Sequence, residues 1–120
     1  MYEYRAEVLS VYDGDTIRVT IDLGFGVVLS NQQVRLLGID TPEVRGASKE
    51  AGYVSRDYVR ESILGRTIIL KTKKDKTGKY GRWLGDVYYS PLSKVASADD
   101  GLVHLNSELL HQGLAVPMPS

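Results

Sequence analysis

The chain has no cysteine. This excludes a disulfide framework and any thiolate metal site, so a bound metal would need oxygen ligands. No run approaches the roughly 18 apolar residues of a membrane span, so we expect no membrane partner. The 42% apolar and 25% charged residues are typical of a soluble globular protein. A length of 120 residues predicts one domain, residues 1–120.

The N-terminus also lacks a basic segment followed by an apolar run, because residues 2–7 lead directly into a strand-like pattern. We therefore expect a cytoplasmic location, or a secreted one if a signal has been removed. No apolar helix face stands out as exposed, and we expect a monomer.

The net charge is zero, but the charge is unevenly distributed. Residues 71–82 carry six Lys or Arg against one Asp, whereas residues 83–120 carry one Lys against three Asp and one Glu. A basic segment of this kind raises the local concentration of an anionic partner, although a solvated loop has the same composition. Charge alone therefore leaves nucleic-acid binding open.

Alternating apolar residues and turn signals predict three consecutive strands, followed by a helix, two more strands and a last helix. The predicted elements are strands at Ala6–Tyr12 and Thr16–Ile21, a third strand in two parts at Val27–Leu29 and Gln33–Ile39, a helix at Ser48–Leu64, strands at Thr67–Lys71 and Trp83–Tyr89, and a helix at Val103–Gln112. The order βββαββα predicts an α+β, mainly β, fold: a five-stranded OB-fold barrel with packed helices. Such barrels commonly bind nucleic acids or oligosaccharides, but the fold does not decide the function.

Two carboxylates stand at predicted strand ends. Asp15 follows the Asp13-Gly14 turn, and Asp40 ends the third strand, so an antiparallel meander would bring them together. Adjacent carboxylates repel each other unless a cation compensates them. With oxygen ligands alone, including the carbonyl of Thr41, the expected ion is Ca²⁺ before Mg²⁺. The alternative is that Asp-Thr-Pro only forms a turn.

Three further charged residues suggest phosphate chemistry. Arg35 begins the strand that leads to Asp40, and Arg82 closes the basic turn. A guanidinium group binds two phosphate oxygens at once and stays charged, and Glu43 could orient or deprotonate a water. Each residue has another explanation: either arginine could be a surface charge, and Glu43 could lie in the first turn of a helix.

Four motifs, VYDGDTIRV, RLLGIDTPE, TGKYGR and NSELLHQGLA, occur in this order with a helix between the second and third. Together they closely resemble the staphylococcal nuclease (thermonuclease) family, over about residues 5 to 115. The resemblance implies a Ca²⁺-dependent nuclease on an OB-type barrel that hydrolyses DNA and RNA, preferably single-stranded. Its products would carry 5′-hydroxyl and 3′-phosphate ends.

The resemblance also implies a role for each matching residue. Asp15, Asp40 and the Thr41 carbonyl would bind calcium, and Glu43 would hold the attacking water as the proposed general base. Arg35 and Arg82 would bind the scissile phosphate and stabilise its transition state. Lys79 and Tyr80 would contact a neighbouring phosphate of the substrate.

The sequence departs from the family pattern in three places. The loop after Glu43 is short, with only Val44–Ala47 before the helix, and Gly78 replaces a frequent aspartate. Val116 stands where an aromatic residue would stack on a base, which predicts weaker binding or a changed base preference. The main alternative function is a non-catalytic OB-fold module that binds nucleic acid or protein. A third possibility, a metal-stabilised structural or sugar-binding barrel, explains Asp15 and Asp40 but gives Arg35 and Arg82 no joint role.

Overall fold

The computed structural model describes residues 2–77, 82–99 and 101–118, and for residues 74–77 it describes the backbone only. Eight strands and two α-helices lie in these ranges, with a short 3-10 helix before the first α-helix. They are β1 Tyr2–Asp13, β2 Thr16–Gly24, β3 Val27–Leu36, β4 Ile39–Asp40, the 3-10 helix Gly46–Ser48, α1 Lys49–Ile63, β5 Thr67–Thr77, β6 Trp83–Tyr89, β7 Val103–His104, α2 Leu105–His111 and β8 Val116–Pro117.

Five strands close into a barrel. β1 pairs with β2 and β5, β2 pairs with β3, and β5 pairs with β6, all antiparallel. Strands β3 and β6 then pair in parallel, with Val34 opposite Trp83, and this pairing closes the sheet. The predicted mainly β, OB-like barrel with two packed helices is confirmed, and short strands β4, β7 and β8 are added to it.

The alternation of side chains fills the barrel interior. On β2, Ile17, Val19 and Ile21 are buried while their neighbours face outward. On β1, a register shift between Val8 and Ser10 lets both Val8 and Val11 point inward although their spacing is odd. Each fully buried aliphatic side chain contributes about 1.5–3 kcal/mol, so this interior is the main source of stability.

Helix α1 presents a different face to the barrel from the one that its apolar residues predict. Ala51 and Val54 are exposed, whereas Gly52, Ser55, Val59 and Ile63 are buried. The apolar side chains of Ala51 and Val54 therefore do not contribute to the core. At Gly52 the helix lies against the backbone of Pro42 and Glu43, and at Ser55 it lies against the β1–β2 turn at Gly14, so only small side chains fit at these two positions.

The third predicted strand also ends earlier than expected. β3 stops at Leu36, and Gly38 turns the chain with a φ of 80°, a conformation that favours glycine. Asp40 lies on the separate strand β4, where it pairs with Val116 of β8. The prediction that Asp40 ends a strand of the barrel is corrected accordingly: a short second sheet holds its backbone.

Helix α2 is joined to the barrel by the buried side chain of Asn106. The Asn106 Oδ1 accepts a hydrogen bond from the Val87 N–H at 3.0 Å, and its Nδ2 donates to the carbonyls of Leu37 at 2.9 Å and Gly85 at 3.2 Å. One side chain thus connects α2 with β6 and with the turn before β4.

No helix in the part of the chain that the structure describes is long and apolar enough to span a lipid bilayer.

Candidate active site

The β1–β2 hairpin places Asp15 beside the end of β3. Thr16 pairs with Arg35 across the sheet, and the Leu36 N–H donates to the Asp15 carbonyl at 2.8 Å. The Asp15 N–H in turn donates to Asp13 Oδ1 at 3.1 Å, which shapes the turn. The predicted approach of the start of the second strand to the end of the third is therefore found.

Gly14 lets three segments meet at this turn. A Cβ atom on Gly14 would lie 2.8 Å from Thr41 Cγ2 and 2.9 Å from Ser55 Cβ. Real Cβ atoms essentially never come this close to a neighbour, so a side chain here would push the segments apart. The missing side chain thus brings the hairpin, the loop after β4 and helix α1 into contact.

The loop that carries Glu43 is held against helix α1 in the same way. A Cβ atom on Gly52 would overlap the Glu43 carbonyl oxygen and would lie 2.9 Å from the Pro42 oxygen. The Ser48 hydroxyl donates to the Glu43 carbonyl at 3.3 Å. The backbone at Glu43 is therefore positioned by the helix, whereas Glu43 itself belongs to no helix.

The guanidinium of Arg35 lies between the two predicted metal carboxylates. Its Nη1 is 2.9 Å from Asp15 Oδ2, and its Nη2 is 3.5 Å from Asp40 Oδ1. Nη2 also donates to the Ile39 carbonyl at 3.3 Å. The Arg35 and Asp15 side chains are 12% and 6% exposed and the Asp40 side chain 56%, so the inner ion pair is shielded from water and the outer one is screened by it.

Asp15 is ionised in this setting. Burial opposes its ionisation, but hydrogen bonds from Asp13, from the Thr41 N–H at 3.0 Å and from Arg35 outweigh burial and lower the pKa of Asp15. The Arg35 charge acts in the same direction.

A third carboxylate, that of Asp13, lies beside Asp15 and lines the same cavity, but it was not predicted as a site residue from the sequence. Burial, followed by its hydrogen bond with Asp15 and the Asp15 charge, raises the pKa of Asp13 to about 6. Asp15 and Asp40 alone exceed the single charge of Arg35, and the raised pKa of Asp13 shows that a further negative charge is disfavoured beside them. The spacing of two residues between Asp13 and Asp15 on one tight turn is the sequence signal that could have identified it.

The donor atoms near Asp15 and Asp40 suit a hard cation. Within the described residues no group of three or more His, Cys, Asp or Glu side chains is arranged to hold a metal ion. A site here would therefore use Asp15, Asp40 and an oxygen of Thr41, with other oxygen ligands from water or substrate. The Thr41 hydroxyl oxygen is buried and has no hydrogen-bond partner among the described residues, so Thr41 offers a second oxygen besides its predicted carbonyl ligand.

Arg82 enters the same cavity from the residue before β6. Its Nε is buried and has no partner within the described residues, which leaves a donor for an incoming anion. The cavity measures about 350 Å³, and its lining includes every predicted site residue that the structure describes: Asp15, Arg35, Asp40, Thr41, Glu43 and Arg82. Lys79 and Tyr80 lie outside the described residues.

Five other residues complete the lining: Tyr12, Asp13, Thr16, Gln33 and Met118. The Met118 sulfur lies 3.0 Å from Arg35 Nη2. No sequence pattern marks Met118 as a site residue, because it reaches the cavity only through the pairing of β8 with β4.

The fold and this cavity define the class of the protein: an OB-like barrel with carboxylates and two arginines gathered at the ends of its strands. Comparison with known proteins agrees with that class and is more specific. Residues 33–119 match the family described as staphylococcal nuclease homologue, and the chain belongs to this family. The match begins at Gln33, so β1, β2 and Asp15 precede it.

Individual relatives are modestly similar. The chain is 35% identical to Protein ParB of Escherichia coli over 116 residues, which are 94% of this chain and 56% of that protein. It is 30% identical to the Micrococcal nuclease of Shigella flexneri over 113 residues, 94% of this chain and 58% of that one. It is 29% identical to the Thermonuclease of Staphylococcus intermedius over 103 residues, 79% of this chain and 55% of that one. The chain thus spans little more than half the length of these relatives.

Proposed function

We propose that this protein is a calcium-dependent phosphodiesterase that hydrolyses DNA and RNA by attack of water on phosphorus. The observation that carries the proposal is the convergence of Asp15, Arg35, Asp40, Glu43 and Arg82 on one cavity of about 350 Å³. Membership of the staphylococcal nuclease homologue family and the two relatives named as nucleases support it.

Arg35 and Arg82 would bind the scissile phosphate. Ion pairs with Asp15 and Asp40 orient Arg35, and its five N–H donors exceed what these partners accept. Arg82, which directly precedes the strand that pairs with β3, adds its Nε, a donor without a partner among the described residues. Two fixed guanidinium groups would stabilise the charge that gathers on the phosphate oxygens as water attacks.

Asp15, Asp40 and the Thr41 carbonyl would hold Ca²⁺ beside the same phosphate. When bound, the ion supplies positive charge that neutralises the phosphate and the surplus carboxylate charge. The all-oxygen donor set and the excess of carboxylates over Arg35 support this assignment. Lys79 and Tyr80 would contact a neighbouring phosphate.

Glu43 would hold the attacking water and accept its proton. The oxygen of that water forms a bond to phosphorus while the bond to the 5′ oxygen breaks, and the 5′ oxygen takes a proton from solvent. The products would carry a 5′-hydroxyl and a 3′-phosphate. Because the absence of a side chain at Gly52 lets the backbone of Glu43 lie against α1, the carboxylate extends from a fixed point of the backbone.

The test is digestion of end-labelled single-stranded DNA with calcium or with chelator, followed by analysis of the product ends. We expect cleavage with calcium only and 3′-phosphate ends. Glu43→Gln and Arg82→Lys should each lower kcat by about 100-fold or more. Glu61→Gln and Arg5→Lys are matched controls, since both residues are exposed and neither lines the cavity.

DNA that stays intact under both conditions, with a folded protein, would refute the enzyme and favour the non-catalytic binding module. Cleavage that persists in the Glu43→Gln and Arg82→Lys variants at the control rate would refute the assigned roles.

A further inference from the structure

A second groove lies next to the candidate active site, between strands β1–β3 and helix α1. It measures about 670 Å³. We call it the arginine groove, and its principal lining residues are Tyr12, Arg18, Gln33, Tyr53, Arg56 and Arg60. None of these residues belongs to the predicted catalytic, metal or substrate-binding set.

The arginine groove is continuous with the active-site cavity. Tyr12, Thr16 and Gln33 line both spaces. Val44, which lines the groove, follows directly after Glu43, which lines the cavity. A chain molecule whose phosphate lies between Arg35 and Arg82 can therefore continue into the groove without leaving the protein surface.

The charge of the groove is positive. Arg18 lies on β2, while Arg56 and Arg60 lie on α1. Arg45 adds a fourth guanidinium at the rim, where its Nη2 donates to the Tyr12 hydroxyl at 3.2 Å. Among the residues that the structure describes, the lining contains no Asp or Glu, and Asp57 is the carboxylate that pairs with Arg56 and Arg60. A polyanion would find a surplus of positive charge here.

The arginines keep donors available for a ligand. Arg18 Nη1 donates to the Asn31 carbonyl at 3.2 Å, and Arg60 Nη2 donates to the Val11 carbonyl at 3.1 Å. A guanidinium group has five N–H donors, so each of these contacts fixes the side chain and leaves others free for phosphate oxygens.

Aromatic rings accompany the arginines. Tyr53 is 40% exposed and Tyr12 is 54% exposed, and both line the groove. The Arg56 guanidinium carbon lies 4.5 Å from the centroid of the Tyr53 ring, a cation–π contact that fixes the arginine against the ring. Exposed aromatic faces among cations along a groove are the usual means of binding unpaired bases and their phosphates.

We propose that the arginine groove binds a single-stranded polynucleotide that extends from the scissile phosphate, with Arg18, Arg56 and Arg60 on its phosphates and Tyr53 on an unpaired base. The proposal rests on the function proposed above and adds to it a second binding site. A duplex hides its base faces in the stack, so Tyr53 would favour a single strand over a duplex.

The experiment measures binding without cleavage, by fluorescence anisotropy of a labelled single strand of about 12 nucleotides in the presence of chelator. The variant is Arg18→Gln with Arg56→Gln, because both side chains are at least partly exposed and lie on opposite sides of the groove. The matched control is Arg5→Gln with Lys94→Gln, which removes the same charge from exposed residues outside the groove.

We expect the groove variant to bind about tenfold more weakly and its slope of log affinity against log salt to fall by about 1.4, since each single-strand phosphate contact contributes about 0.7. The control should change neither quantity appreciably. Tyr53→Ala should lower the preference for the single strand over a duplex of the same sequence. In addition, a strand with 5-iodouracil should crosslink to the peptide that contains Tyr53 in the unaltered protein.

Equal loss of affinity in the groove and control variants, or no crosslink to the Tyr53 peptide, would overturn the proposal. The outcome is separable from that of the cleavage assay. A protein that cleaves DNA but whose groove variant binds like the control would refute the groove alone. A protein that never cleaves but loses binding in the groove variant would refute the enzyme alone.

Discussion

Substitution of Gly52 by alanine tests how helix α1 positions the candidate general base. In a solvent-exposed helix this change stabilises by about 1 kcal/mol, because alanine favours the helix more than glycine does. Here the new Cβ would lie 2.5 Å from the carbonyl carbon of Glu43, whereas ordinary contacts begin at 3.4 Å. The helix or the loop would have to move by about 1 Å, and the atoms in conflict are backbone atoms that cannot rotate away.

Overpacking of this kind costs about 1–3 kcal/mol, which exceeds the gain in helix propensity. We therefore expect Gly52→Ala to lower the free energy of unfolding by up to about 2 kcal/mol. A displacement of about 1 Å at Glu43 should also lower kcat by about 100-fold. Urea unfolding followed by the fluorescence of the single tryptophan, Trp83, measures the first quantity, and cleavage of labelled DNA with calcium measures the second.

Ala51→Gly is the matched control, since it changes the propensity of an exposed position next to Gly52 without a clash. It should cost about 1 kcal/mol and leave cleavage unchanged. A Gly52→Ala protein that is more stable than the original and equally active would refute the argument, because the helix would then not constrain Glu43.

Three other predictions concern separate parts of the molecule. Val116→Tyr, at a position that is 60% exposed and pairs with Asp40, should add a stacking contact of about 1–3 kcal/mol, and unchanged affinity for single-stranded DNA would count against it. Asn106→Ala should lower the free energy of unfolding by about 3 kcal/mol or more, because it leaves the Leu37 and Gly85 carbonyls and the Val87 N–H without their partner, and a loss below about 1 kcal/mol in urea unfolding would contradict this. Burial and the hydrogen bond to Glu108 raise the pKa of Tyr89 to about 12 from an unfolded value near 10, so Tyr89 stabilises the fold below about pH 10 and this contribution is lost as the pH rises towards 12. Tyr89→Phe should therefore be less stable at neutral pH by about 1 kcal/mol, and the difference should shrink above pH 10; a constant difference across that range would refute the cause.

The barrel could be predicted from the sequence because strand alternation and turn residues are local signals. The Asp13-Gly14 turn and the extent of β6, Trp83–Tyr89, agree with the prediction. The error at Asp40 arose because Val34, Leu36, Leu37 and Ile39 favour one continuous strand, whereas Gly38 turns the chain after Leu36. On α1 the apolar residues Ala51 and Val54 stay exposed, because the helix is buried on the face with Gly52 and Ser55, where the loop of Glu43 and the β1–β2 turn leave room only for small side chains.

The sequence by itself therefore determined the order of the elements, the absence of thiolate chemistry and the set of charged residues at the strand ends. Only the tertiary structure decided which of these residues meet, because their distances depend on packing between segments far apart in the chain. Closure of β3 on β6 carries Arg82 to Arg35, and the missing side chains of Gly14 and Gly52 let the loops of Asp15 and Glu43 approach α1. The arginine groove likewise exists only where α1 packs beside β1–β3, since no local pattern relates Arg18 to Arg56.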